Sequence, residues 1–229
     1  MNEIHPTAII GPGVELGDDN IIGPYAVLYG PARIGDRNWI GPHVVIGTPG
    51  ESKGTPHPAG WLAPGPGPAI EIGSDNVIRE FTVVQAAVYD VTTIGDGGFI
   101  MDRTHFSHDC RIGDGVTTAA GVLFGGHCQV GNNANIGLGA AVHQFSVIGP
   151  GAMVGMNSVV KKPIPPFSIS YGVPAKVQGA NRVGMSRLGI DDDSIARVHR
   201  AYLAGEVPGE VDDRLAWAFD WFADRTAEG

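Results

Sequence analysis

Large aliphatic residues recur every six positions along this chain. Ile10, Leu16, Ile22, Leu28, Ile34, Ile40 and Ile46 follow one another without a slip, and all but Leu28 precede a glycine. A short second run holds Ile72, Ile78 and Val84. A third passes from Ile94 through Ile100, Phe106, Ile112, Thr118, Phe124, Val130, Ile136, Val142, Ile148 and Val154 to Val160, with Thr118 its one polar lapse. A second column, four residues after each aliphatic, holds small or β-branched residues such as Val14, Ala26, Ala32, Cys110, Val116, Cys128 and Ala134. This period is the signature of a parallel β-helix. Each flat face turns one large and one small residue inward, while glycine and polar residues make the corners, where positive φ costs glycine little. Three faces make a coil of 18 residues, so the 22 hexapeptides predict about seven coils.

Two insertions interrupt the prism. Residues 48–70 carry six prolines and leave the ladder as an excursion. The second, within residues 85–94, adds four residues between Val84 and Ile94 and reads as a smaller bulge. The predicted helix-shaped prism spans 1–162 and a largely helical extension spans 163–229. In that extension Ile195, Val198 and Tyr202 fall at i, i+3 and i+7, and Leu215, Phe219 and Phe222 at i, i+4 and i+7. Pro208 and two glycines divide these stripes into a helical hairpin.

Composition narrows the function classes. With 43% hydrophobic residues among 229, the chain can bury a sizeable core, and no apolar run reaches the length of a membrane span. The first residues lack the basic and apolar segments of a signal peptide, so the expected location is the cytoplasm. A formal charge of −9 argues against nucleic acid or an anionic membrane as partner. Residues 161–200 nevertheless hold seven of the 15 Lys and Arg against three acids, a local excess suited to phosphate or an acidic protein, or simply to solvent.

The segment HFSHDC, residues 105–110, carries the candidate chemistry. Phe106 is inward, so His108 faces out; one coil up lie Gly126 and His127, and two coils up His143 and Gln144. Plain surface histidines are one reading of this column. A metal site would need three converging ligands with support behind them. β-Helical carbonic anhydrases use a histidine pair five apart, a spacing no pair has here, and no metal is expected. Cys110 and Cys128 stack 18 apart in the small inward column and read as buried thiols. General-base catalysis is the third reading, with His108 held by Asp109 and an oxyanion met by the Gly126 N–H.

HFSHDCRIG, then LFGGHCQVG (123–131), AAVHQFSVIG (140–149) and GANRVGMSRLGI (179–190) resemble the acyl-carrier-protein-dependent UDP-N-acetylglucosamine O-acyltransferases that begin lipid A synthesis. The resemblance runs along essentially the whole chain. It implies a left-handed parallel β-helix with a short C-terminal helical segment, assembled as a homotrimer with active sites between subunits. It also implies His108 as catalytic base, Asp109 as its partner and Gly126 as the oxyanion amide. His105 and His127 match contacts to sugar and phosphate, His143 and Gln144 the HQF motif of the cleft, Asn181 and Arg187 nucleotide-sugar contacts, and Lys53 a lysine near the sugar. Met156 stands where long-chain members have glycine, which implies a shorter acyl chain. The chain departs from the family at Gln85-Ala86-Ala87, usually His-Arg-Gly, at Val183, usually glutamate, and at Leu188, usually arginine.

The expected function is acyl transfer from an acyl carrier protein or coenzyme A thioester, with no bound cofactor, to a hydroxyl of a nucleotide sugar. Alternatives are N-acylation of a nucleotide-linked amino sugar and a trimeric binding protein that has lost turnover.

Overall fold

The computed structural model describes residues 1–54 and 70–227. Most of the proline-rich excursion lies outside them. Twenty-three short strands, from Glu3–Ile4 to Val159–Val160, lie in three parallel sheets that form the faces of a prism. The first face includes Phe99–Ile100 and Thr117–Thr118, the second His105–Phe106, Leu123–Phe124 and Ala141–Val142, and the third Arg111–Ile112, Gln129–Val130 and Val147–Ile148. Paired residues stand 18 apart, as Phe106 with Phe124 and Ile112 with Val130. Across the excursion the spacing becomes 38, as for Ile46 and Val84, and across the second insertion 22, as for Val84 and Phe106. The pairing shifts by one residue at the root of the insertions, where Gln85 meets Thr48 and not Gly47; beyond them the ladder resumes in register, so no inward aliphatic changes face.

The ladder holds one hexapeptide more than the aliphatic runs count, and about eight turns where they predict about seven. Ile4 already pairs with Ile22. It is 42% exposed, because no further coil lies below it among the described residues.

Side chains of both inward columns fill the prism. Phe106 and Phe124 are buried and stack with centroids 5.0 Å apart, widening the core at the level of the HFSHDC segment. Thr118, the polar lapse, is buried, with its hydroxyl 3.0 Å from that of Thr104, which donates onward to the Met101 carbonyl. Asn20, Asn38 and Asn76 form a buried ladder: the side-chain amides of Asn38 and Asn76 each donate to the Oδ1 of the asparagine one coil below, that of Asn20 donates to the Gly35 carbonyl, and the ladder ends where Gly98 N–H meets Asn76 Oδ1. Among the described residues every fully buried side-chain nitrogen and oxygen is partnered.

Glycine serves a different purpose from the expected one. The positive-φ corner position lies three residues after each aliphatic and is mostly taken by other residues, including Asp19, Arg37, His43, Asp109, His127 and Phe145. The glycines that follow the aliphatics answer to close approach instead. A Cβ on Gly137 would lie 2.6 Å from Met156 N and 2.7 Å from the Gly155 carbonyl carbon.

The first sheet continues past the prolines that follow Lys162. Ser168–Gly172 pairs in parallel with Met153–Val154, then turns back antiparallel to Ala175–Ala180. Helices α1 (Arg182–Arg187), α2 (Asp192–Ala204) and α3 (Asp213–Thr226) follow, with N-caps Asn181, Asp191 and Asp212. The predicted stripe of Ile195, Val198 and Tyr202 is buried with Phe167, Met185 and Leu215 in a second core, and Phe219 packs on its edge. Helix α3 leans against Val147–Ile148 on the third face.

Two outcomes follow from this packing. Gly137→Ala forces a methyl group into the backbone of the next coil and should cost about 1–3 kcal/mol in denaturant titration. His199 on α2 accepts the Ala180 N–H at Nδ1, 3.1 Å away, and burial, then nearby Arg182, holds its imidazole below the ordinary 6.5. The unfolded chain therefore binds more protons below pH 6.5, so the melting temperature should fall as pH drops through and below that value. His199→Asn should flatten the slope.

Candidate active site

The HFSHDC residues sit at the corner between the second and third faces rather than on a flat outer face. Phe106 is anchored in the core, and the chain turns at Ser107–Cys110 so that Asp109 takes φ 59°. His127 and Phe145 occupy the same left-handed position one and two coils up, at φ 61° and 62°. That conformation is uncommon for a bulky residue such as phenylalanine. Their rings stack, with centroids 4.4 Å apart and planes 5° from parallel, and the His108 ring meets His127 edge-on at 5.1 Å.

His108 Nδ1 lies 2.7 Å from Asp109 Oδ2, and the two side chains are 13% and 2% exposed. A carboxylate only accepts, so Nδ1 carries the proton, and in the neutral ring the lone pair is at Nε2. A Cβ on Gly126 would stand 2.7 Å from His108 Cε1 and 2.9 Å from Nε2, so only glycine leaves room for the imidazole. The Gly126 carbonyl accepts the Phe145 N–H at 2.9 Å, while its own N–H finds no acceptor among the described residues. An unspent base nitrogen and an unspent amide thus lie side by side.

The second insertion proves to be a strap. Asp109 Oδ2 accepts the Val88 N–H at 3.1 Å, and Oδ1 accepts those of Tyr89 and Asp90 at 3.0 and 2.8 Å. Asp90 pairs with Arg111, and the Tyr89 ring lies 5.6 Å from that of His127. At the near end of the strap, buried Gln85 accepts the Glu51 N–H and the Ser107 hydroxyl at Oε1, 3.1 and 3.2 Å away. A cleft of about 490 Å³ opens beside this corner, lined by Asp109, Arg111, His127, Gln129 and Phe145 and bounded by Asp224 and Arg225 of α3.

Burial pushes the His127 imidazole below its ordinary value, against the pull of Asp109, so the ring is neutral at pH 7. His108, Asp109 and His127 offer donor atoms within 4.8 Å of one another, but His108 Nδ1 and Asp109 Oδ2 are already spent on each other. Cys110 and Cys128 are buried and donate to the carbonyls of Gly125 and His143. A hydrogen bond with Cys128, together with burial, holds the Cys110 thiol well above its ordinary value.

Residues 164–204, covering the hairpin and the first two helices, match the family model described as UDP-N-acetylglucosamine O-acyltransferase, domain 2. The acyl-(acyl-carrier-protein)–UDP-N-acetylglucosamine O-acyltransferase of Thermodesulfovibrio yellowstonii is 38% identical over 216 residues, spanning 88% of this chain and 83% of the relative. The chain belongs to this acyltransferase family. The enzyme of the same name from Paraburkholderia xenovorans is 41% identical over 218 residues, 88% of this chain and 82% of the relative. Among solved structures, the UDP-N-acetylglucosamine O-acyltransferase of Moraxella catarrhalis superposes with a TM-score of 0.76 at 29% identity, covering 98% of this chain and 93% of that one.

Within this acyltransferase the structure gathers His105, His108, Asp109, Gly126, His127, His143 and Gln144 around one edge of the prism. His105 points outward from the second face, with Nε2 3.9 Å from Glu51 Oε2, and His143 Nδ1 lies 3.0 Å from the Gln144 carbonyl. Four other candidates are held differently. Asn181 caps α1 by accepting the Gly184 N–H and donates to the Gly151 carbonyl, so both ends of its amide are engaged. Arg187 ends α1 in solvent, and Lys53 is exposed at the root of the excursion. Met156, 71% exposed, follows a first-face strand and so lies at a different corner from His108.

Phe145 escaped the sequence reading although its spacing of 36 from Asp109 gave it the same column. Tyr89, Asp90 and Thr92 lie in or beside an aperiodic insertion, where period carries no signal. Gly126→Ala should displace the His108 ring and lower turnover about 100-fold, the scale of an ångström-sized misplacement. Turnover at the parental rate would show the close apposition to be irrelevant.

Proposed function

We propose that this enzyme transfers an acyl group from acyl carrier protein to a hydroxyl of a UDP-N-acetylglucosamine-type nucleotide sugar, with His108 as general base. The observation that carries the reading is the free Nε2 of a carboxylate-held histidine beside the unpaired Gly126 N–H. His108 Nε2 takes the proton of the sugar hydroxyl as its oxygen bonds to the thioester carbonyl carbon. The resulting oxyanion is held by Gly126 N–H. Collapse breaks the carbon–sulfur bond, and the imidazolium returns its proton to the leaving thiolate, giving an ester and a free thiol. The names of the relatives support donor and acceptor alike. The reaction belongs in the cytoplasm, at the entry to lipid A synthesis; no helix of the described residues is long and apolar enough to cross a membrane.

The outer surfaces favour a homotrimer. Outward residues of the first face include Ile21, Trp39, Phe99 and Met153, and those of the second Ile9, Val45, Val83 and Leu123, whereas the third presents Glu15, Arg33, Glu71 and Arg111. Two different apolar faces meeting at one edge suit a closed three-fold ring, in which each protomer's second face covers its neighbour's first. A groove between them, entered at His108, would end near the axis at the neighbour's Met156, whose bulk sets a short acyl chain. Lys161, Lys162, Lys176 and Arg187, all exposed, offer the acidic carrier protein a docking surface.

Purified protein and His108→Ala should be incubated with UDP-N-acetylglucosamine and its 3-amino analogue, with carrier-protein thioesters of several lengths, and the products read by mass. The expected product is a base-labile, short-chain ester, formed at least 100-fold more slowly by the folded variant, consistent with the usual size of general-base effects. Met156→Gly should accept longer chains. An amide formed only from the amino sugar would move the enzyme to N-acylation, which the apolar Val183 and Leu188, exposed on and just after α1, would suit. Silence from both acceptors would overturn the proposal.

A further inference from the structure

Every hydrogen-bonding position of the Asp109 carboxylate is filled from two directions only. One is the His108 ring; the other is the run of three consecutive N–H groups at Val88, Tyr89 and Asp90. Asp109 is itself fixed in an uncommon conformation, φ 59°, by its own N–H, which donates to Thr92 Oγ1 at 2.9 Å. Thr92 is fully buried at the start of Thr92–Ile94, the strand that closes the insertion. At the other end Gln85 closes the strand Val83–Gln85, ties the strap to Glu51 and Ser107, and is followed by the Ala86 N–H on the Thr48 carbonyl at 2.8 Å. Gly50, in the same root, passes so near that a Cβ there would lie 2.8 Å from His108 Cβ.

We infer that residues 85–92 are the positioning element of the His108–Asp109 pair, and that Gln85 and Thr92, which touch no reacting atom, are positioning residues. Periodicity alone would hold Asp109 no better than Asp19 or Asp75, which occupy the equivalent corner position in solvent. The added hydrogen bonds turn one of these acids into a buried, oriented carboxylate. The excursion root and the strap then form one continuous hydrogen-bonded path to the base, so the loops, not the repeat, fix where Nε2 points. The inference rests on His108 being the base.

Thr92→Val keeps the shape of the side chain and removes the acceptor; Thr92→Ser restores it. Gln85→Met tests the far anchor independently, should the valine variant fail to fold. Two readouts separate positioning from bulk stability. The first is kcat against KM, with kcat expected to fall 10- to 100-fold in Thr92→Val and Gln85→Met at unchanged KM, the scale set by misplacement of a reacting group. Thr92→Ser should recover most of it. The second is proton NMR of the resting enzyme, in which the carboxylate-bound Nδ1 proton of His108, assigned by its loss in His108→Ala, should be present in wild type and Thr92→Ser and lost or broadened in the other two. Because this signal needs no turnover, it tests the strap even if His108→Ala stays active and the base reading fails. A resonance unchanged in Thr92→Val and Gln85→Met, or equal losses in kcat and melting temperature with no difference between Thr92→Ser and Thr92→Val, would overturn the inference.

Discussion

The in-register stacking of parallel coils is the constraint on which everything else in this molecule depends. A strand spacing of about 4.8 Å leaves each backbone N–H one partner, the carbonyl of the coil above or below, and each side-chain column one width. Glycines such as Gly137 follow from that spacing, because the next coil's backbone occupies the space a Cβ would need. The buried asparagine ladder and the Thr104–Thr118 hydroxyl pair follow too, because stacking brings a polar group of one coil within reach of one in the next.

The same stacking makes an active site inexpensive to assemble. Three residues 18 apart at one corner, Asp109, His127 and Phe145, are brought into line by the ladder, and so is Gly126 over His108. Alignment alone does not orient a histidine, however. An exposed carboxylate at a corner keeps its contact with water, as at Asp75, whose bidentate pair with Arg37 lies at the surface. Burial of Asp109 beneath the strap gives its charge fixed amide partners in place of water, and a fixed carboxylate fixes the histidine.

The distribution of polarity over the three outer faces is what supports the proposed homotrimer. Inward columns are apolar on all three faces, as any core demands, but the outward columns differ, two apolar and one charged. A single prism gains nothing from that difference in water. In the proposed homotrimer, a ring of prisms would hide the apolar pair, leave the charged face outside, and join the His108 edge of one protomer to the first face of the next.

Sequence by itself determined what repeats. The six-residue period settled the parallel β-helix, both inward columns, the two points of interruption and the alignment of His108, Asp109, Gly126 and His127, because a fixed coil length converts sequence spacing directly into distance. The stripe of Ile195, Val198 and Tyr202 settled one helix of the tail by the same logic at a different period. Tertiary structure decided what does not repeat. Ile4, six residues before Ile10, was in phase with the period, but the hairpin after the prolines and the short helix α1 carry no such signal. The strap lies at the same limit: nothing in the letters of Val88, Tyr89 and Asp90 announces that their main-chain N–H groups converge on one carboxylate, because every residue but proline carries that donor and only the path of the chain aims it.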